Sequence, residues 1–135
     1  MSVYDVDYRV FISSLAQKLK SDNKLQQPAW THFVKTSVSR QIAPEEQNWY
    51  YVRAAAILRR IYCQGPLGIT DLKVAFGNEK QSCVIPSHFT KASGKIIRII
   101  CQDLAKMNII KTTKEGRTLT DNGKKTLDQF AAQLK

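Results

Sequence analysis

Apolar and basic positions separate by period between Pro86 and Met107, the stretch around which the rest of the chain is arranged. Ile96, Ile97, Ile100, Cys101, Leu104 and Met107 recur at three- and four-residue spacing, as one buried face of a helix requires. Lys91, Lys95, Arg98, Gln102 and Lys106 fall on the other side. The pattern predicts a turn-like entry at Pro86-Ser87-His88-Phe89 and then a helix with a core on one face and a basic ridge on the other. Such a ridge suits a phosphate backbone.

The remaining elements follow in chain order. Asp5 or Asp7 is placed to cap a first helix running to about Lys20, with Phe11, Leu15 and Leu19 four apart and Ile12 beside them. Ser21 to Gln27 reads as a linker. Pro28 then predicts a short helix with Trp30, Phe33 and Val34 on one side, a packing wedge. Pro44, Glu45 and Glu46 suit the first turn of the next helix, where negative charge meets the positive helix end. That helix is expected from about Gln47 to Cys63, ended by Gly65 and Pro66.

On a helical wheel Tyr50, Tyr51, Ala54, Ala55, Ile57, Leu58, Ile61 and Tyr62 occupy one broad arc. Trp49, Arg53, Ala56 and Arg60 lie opposite, with Arg59 at the edge of that outward arc. Two readings of the outward face stand. Either Trp49 packs under the first helix and the arginines are solvated, or the indole stacks on an exposed base or ribose while guanidinium groups bridge phosphates.

Gly68 to Phe76 reads as a short helix capped by Thr70, with Leu72 and Phe76 four apart. Gly77 to Val84 is polar, a surface loop or irregular hairpin from which Lys80 and Gln81 reach a ligand lying along the basic helix. After Met107 the residues favour β structure: Ile109 to Thr113, a turn at Lys114-Glu115-Gly116, and a return through Arg117 to Thr120. Thr120 or Asp121 caps a last helix with Leu127, Phe130 and Leu134 inward. The expected fold is mainly α: a helical bundle around a winged-helix-like core with a small β-hairpin wing. We expect one domain over 1–135, its core at 47–134 braced by N-terminal helices within 5–36.

Composition narrows the class. The 135 residues have a hydrophobic fraction of 43%, enough for a modest single core, and a formal net charge of +10. Between Lys80 and Arg117 eight basic residues face two acidic ones, whereas residues 1–34 hold four basic and three acidic. The contact surface is therefore expected in the later part. Three unpaired-looking cysteines, 63, 83 and 101, fit a reducing compartment. The opening residues do not resemble a signal peptide, and no uncharged apolar run reaches membrane-spanning length, so a soluble intracellular domain without a membrane partner is expected.

Catalytic and metal chemistry find little support. His32 and His88 are the only histidines, and neither has partners at ligand spacing; Ser87 beside His88 is no triad. No phosphate-cradling glycine loop occurs. No cofactor, metal or small-molecule substrate is expected. His88 reads either as a neutral core residue or as an exposed contact to RNA beside Lys91. Gly94 reads as a first-turn residue where a phosphate could approach the amides.

Asn48 to Tyr62 (NWYYVRAAAILRRIY), Val84 to Arg98 (VIPSHFTKASGKIIR) and Gly116 to Gly123 (GRTLTDNG) together carry a resemblance that spans nearly the whole chain. Pro28 to Trp30 and Ala43 to Trp49 are similar in character. The sequence resembles the small-subunit ribosomal protein nineteen family of eukaryotes and archaea, distinct from the bacterial protein of that number. The resemblance implies a winged-helix-like protein in the head of the small ribosomal subunit, needed for maturation of its ribosomal RNA, with neighbouring head proteins and assembly factors as partners. It implies a cytoplasmic ribosomal location, with a nucleolar stage in a eukaryote.

Carried over residue by residue, the resemblance places Trp49, Arg53 and Arg59 on one RNA-contacting surface and Ser87, His88, Lys91 and Arg98 on a second, with Arg117 near the wing. Lys80, Lys95 and Arg60 join them on the wheel and charge pattern alone. The chain departs from the family in its less basic loop before Pro86, with Asn78, Glu79 and Cys83, and in Ile99 where a second arginine often follows Arg98. Two other classes fit part of the pattern: a winged-helix DNA-binding regulator reading a major groove, and a protein-interaction adaptor.

Overall fold

Helix α4 (Gly94–Lys106) realises the separation read from its spacing. Ile96, Ile97, Ile100, Cys101 and Leu104 are buried, while Lys95, Arg98, Gln102 and Lys106 are exposed. The computed structural model describes residues 2–135. Around α4 stand α1 (Tyr8–Ser21), α2 (Trp49–Gln64), α3 (Ile69–Ala75) and α5 (Asp121–Gln133), with two hairpins, β1 (Asn78–Lys80) with β2 (His88–Thr90) and β3 (Ile110–Thr113) with β4 (Gly116–Leu119).

One apolar cluster joins these elements. It contains Phe11, Leu15 and Leu19 of α1, Tyr50, Ile57, Leu58 and Ile61 of α2, Leu72 of α3, the apolar face of α4, and Leu127 and Phe130 of α5. Phe11 and Phe130 meet edge to face at 5.8 Å, a favoured aromatic geometry. Two tyrosines tie α2 outward through hydroxyl donors: Tyr50 to Asp103 Oδ2 of α4 (3.4 Å) and Tyr62 to Asp128 Oδ1 of α5 (2.7 Å).

The winged-helix core is built by α2, α3, α4 and the second hairpin. Between α2 and α3 the chain extends at Leu67 and pairs with the wing: Arg117 N–H donates to the Leu67 carbonyl (2.8 Å) and Leu67 N–H to the Arg117 carbonyl (3.2 Å). This close passage dictates Gly116, whose φ is +139°. A Cβ there would stand 2.6 Å from the Leu67 carbonyl carbon, so any side chain meets both a disfavoured backbone and a collision. At the next junction Thr120 Oγ1 accepts from Gly123 N–H (3.0 Å) and donates to the Asn108 carbonyl (2.7 Å), capping α5 as expected. A Cβ at Gly123 would strike the Ile109 carbonyl oxygen.

Four sequence expectations are corrected. The helix begins only at Gly94, because His88–Thr90 forms a strand of a two-stranded ladder and Ala92 and Ser93 N–H groups donate to the carbonyls of Lys73 and Thr36 (both 3.0 Å); Lys91 thus precedes the ridge helix. Gly68 rather than Thr70 precedes α3, its N–H donating to Asp71 Oδ2 (3.0 Å). Pro44, Glu45 and Glu46 lie ahead of α2, which starts after Asn48, whose Oδ1 accepts from Lys20 of α1 (2.7 Å). The stretch after Pro28 is one 3-10 turn (Ala29–Phe33), and Phe33 is 87% exposed instead of packing beside Trp30. The chain turns extended at Val34, which ends the period that would have brought Phe33 inward.

The Tyr62 bond carries a pH signature. The hydrogen bond to Asp128, then burial, raises the Tyr62 hydroxyl from its ordinary 10.0 to about 12. The folded state therefore holds this proton more tightly than the unfolded state, so its stabilisation is full below pH 10 and fades as pH rises from 10 through about 12. Tyr62→Phe is expected to lower unfolding free energy in urea by about 1 kcal/mol at pH 7. The gap to wild type should close across that alkaline window. A gap of constant size up to pH 12 would show that the bond to Asp128 is not its source.

Candidate nucleic-acid interface

The exposed face of α4 meets the first hairpin at its N-terminal end. Ser93 precedes the helix, and Lys91 lies in the short connection from β2, exposed. Lys80 of β1 and His88 of β2 are register partners, so their exposed side chains stand on one face of the ladder. Ser87 is exposed just before His88. The core-histidine reading of His88 is thereby removed. Gly94 is the first residue of α4, but the space above it is taken by the Lys73 side chain, whose Cδ would be 3.2 Å from a Cβ.

Charge along this face is largely unneutralised. Among the described residues the one ion pair is Lys106 Nζ to Asp103 Oδ1 at 3.6 Å. Lys95 Nζ lies 4.7 Å from the centre of the Trp30 ring, which holds the ammonium while leaving it exposed. Arg98 has no acidic partner among the described residues and is exposed. Arg117, paired with Thr112 one step from the turn of the wing, is partly buried near Cys101. Burial pushes the Cys101 thiol up to about 11, with the Arg117 charge pulling the other way, so Cys101 is a packing residue at neutral pH.

The α2 arginines do not form the single outward face that the wheel suggested. Arg53 is partly buried, its guanidinium carbon 4.6 Å from the centre of the Phe76 ring and one terminal nitrogen buried without a hydrogen-bond partner. Burial, then the nearby Arg40 charge, lowers its proton affinity; arginine nevertheless keeps its charge in proteins. Arg59 instead reaches Tyr8 of α1 at 5.7 Å, with its Nε buried and unpartnered. Arg60 is exposed.

Trp49 follows neither of its two readings fully. It is partly buried, sits edge to face with Tyr50 at 6.0 Å, and lines grooves together with Thr31, Thr36, Arg40 and Pro44. The segment between α1 and α2, not the first helix, shares these grooves with it. That segment supplies Arg40, which the sequence reading missed because an irregular connection carries no period. Tyr8, whose ring also lies 5.6 Å from the guanidinium carbon of Arg9, likewise stands outside the residues singled out from the sequence.

Ser87 and His88 are both exposed on the hairpin. Among the described residues no group of three or more acidic, histidine or cysteine side chains is placed to hold a metal ion. Nor, among them, is any helix long and apolar enough to cross a membrane.

A winged-helix core with a basic recognition-type helix is common to many nucleic-acid binders, and the comparison with known proteins decides among them. Residues 2–135 match the family model described as ribosomal protein S19e. The chain belongs to the S19e family. It is 38% identical to small ribosomal subunit protein eS19G of Ascaris suum over 99% of this chain and 92% of the relative. It is 39% identical to eS19 of Mya arenaria, over 99% of this chain and 91% of that protein. With eS19 of Entamoeba histolytica the identity is 39%, over 98% of this chain and 86% of the relative. S19e membership makes this a structural ribosomal protein and not an enzyme.

The different burial of the arginines has a measurable consequence. Arg53→Gln removes a desolvated contact with Phe76 and is expected to lower unfolding free energy by about 1–2 kcal/mol. Arg98→Gln should change it by less than about 0.5 kcal/mol. Equal losses in urea titrations would contradict the burial difference.

Proposed function

We propose that the chain is a constituent of the small ribosomal subunit that binds ribosomal RNA in the subunit head and supports maturation and assembly of that RNA. The observation that carries this reading is Arg98 with its ridge: a cationic helix face, without acidic partners for Arg98 among the described residues, on a helix whose opposite face is locked into the core. Lys95 and Arg98 on α4, Lys91 ahead of it, and Lys80, Ser87 and His88 on the hairpin supply one contact surface. Arg60 extends the contacts along α2, and Arg117 flanks the ridge at the wing. Trp49 and Arg53 act with Arg40 beside the groove under the 31–46 segment.

In this reading the chain is one domain in which 47–134 presents the RNA surfaces and the N-terminal helix braces them. Neighbouring head proteins are further partners, supported by the uncharged hairpin tip, where Val84 is 91% exposed. An aliphatic side chain has no use for phosphate. Assembly factors would meet the protein before subunit completion. The relatives named above all come from eukaryotes, which supports a cytoplasmic ribosomal location preceded by nucleolar assembly.

The winged-helix architecture also favours a DNA-binding regulator as second reading. Against it, base-edge readers on the exposed side of α4 are confined to Arg98 and Gln102, whereas the remaining cations suit backbone contacts. An RNA scaffold needs several separated patches, and the cations here lie on several elements.

A filter-binding titration against cognate small-subunit ribosomal RNA tests the ridge. Arg98→Glu is expected to weaken binding more steeply than Lys135→Glu and to reduce the logarithmic salt slope by roughly 0.7–0.9 for each phosphate no longer neutralised. Equal effects of the two substitutions at fixed salt would remove the ridge from the interface.

A further inference from the structure

Two arginines from different helices converge on one exposed tyrosine at the start of α1. The guanidinium carbons of Arg9 and Arg59 lie 5.6 and 5.7 Å from the centre of the Tyr8 ring. Arg9 Nε donates to the Tyr8 hydroxyl at 3.0 Å. Both guanidiniums are thus held at the same ring, which brings two like charges from different helices to one spot on the surface.

Among the described residues no carboxylate compensates them. Asp7 is engaged as the helix cap, accepting from Arg9 N–H at 3.0 Å, and Asp5 accepts from Ser2 N–H at 3.0 Å. Neither forms an ion pair with either guanidinium, and Arg59 Nε is buried with no hydrogen-bond partner. Tyr4, 60% exposed, donates its hydroxyl at 3.2 Å to the carbonyl of Cys63, one turn after Arg59 on α2, while Tyr8 itself is 49% exposed. A helix brace needs neither two uncompensated cations nor two exposed phenol rings.

We infer that Tyr8, Arg9 and Arg59, with Tyr4 alongside, form a second RNA-contact site, separate from the α4 ridge, that holds the backbone of an unpaired strand. The inference rests on the ribosomal RNA reading and adds to it a site reached from α1. A phosphodiester placed against the guanidiniums supplies the counter-charge they lack through charge-assisted hydrogen bonds. Unstacked bases of a loop or bulge then find aromatic and guanidinium surfaces, which a duplex with its bases already stacked does not offer. The two aspartates near the cluster limit how closely a second phosphate approaches, so one phosphate and its flanking bases are the expected occupants.

The test measures affinity for cognate small-subunit ribosomal RNA beside thermal stability for Arg9→Gln, Tyr8→Ala and the control Lys24→Gln, with Arg98→Glu marking the ridge. Arg9 is exposed and outside the core, so its variant should keep the wild-type melting temperature. Arg9→Gln and Tyr8→Ala are expected to weaken binding about tenfold each, and Lys24→Gln by less than about twofold. If Tyr8→Ala lowers the melting temperature while neither variant changes RNA affinity, the cluster is only a brace and the inference falls. Loss of subunit incorporation with unchanged RNA affinity overturns it in favour of an acidic protein partner. Should Arg98→Glu weaken binding alone, the RNA reading stands without this site; if no variant matters, both fall.

Discussion

Burying one face of α4 makes the rest of the structure possible. Ile96, Ile97, Ile100 and Leu104 are wholly removed from water, and truncating any such side chain costs about 2–5 kcal/mol. That anchoring fixes the rotation of the helix about its axis, and with it the direction of Lys95, Arg98 and Gln102. A charged ridge on a loosely held helix would lose its geometry to side-chain and backbone freedom. The first hairpin and the wing flank the same helix, each held by backbone hydrogen bonds rather than by packing alone: Ala92 and Ser93 to Lys73 and Thr36, Leu67 to Arg117.

The second organising fact is charge left without a counter-charge. With a net charge of +10 and one ion pair among the described residues, the free protein is under self-repulsion that a polyanion removes. Its cations are distributed unevenly in kind as well as in place. Arg98, Lys91 and Lys80 are solvated. Arg53 and Arg59 are half-buried against aromatic rings on different sides of α2, which fixes their orientation. The central helix thus works as a strut between two guanidinium sites, one toward Phe76 and Arg40, the other toward Tyr8 and Arg9.

Periodic elements were legible in the sequence and irregular ones were not. The buried sets of α4 and α5, the core arc of α2, the Thr120 cap and the turn of the wing all follow from spacing and residue type. The burial of Trp49 and Arg53 did not, because their neighbours are the segment from Asp22 to Asn48, which has only a 3-10 turn and no repeating pattern, and, for Arg53, the Phe76 ring at the end of α3. A wheel reports which side of a helix is apolar; it carries no information on what else lies against the polar side. The same gap hid Arg40. Phe33 errs in the other direction, an aromatic at helical spacing left in solvent because the turn stops at its position. Long-range backbone pairing, such as Leu67 with Arg117, is likewise invisible to local periodicity, although the glycine at 116 marks it once the structure is known.

The central claim is that this S19e protein works as a fixed part of the small ribosomal subunit. Its distribution across a sucrose gradient of native lysate, with the small-subunit peak washed in high salt before quantification, tests that most directly. Near one copy per small subunit after the wash is the expected result. Recovery at the top of the gradient, with the protein coming down instead with genomic DNA, would contradict the ribosomal account and leave the winged-helix regulator in its place.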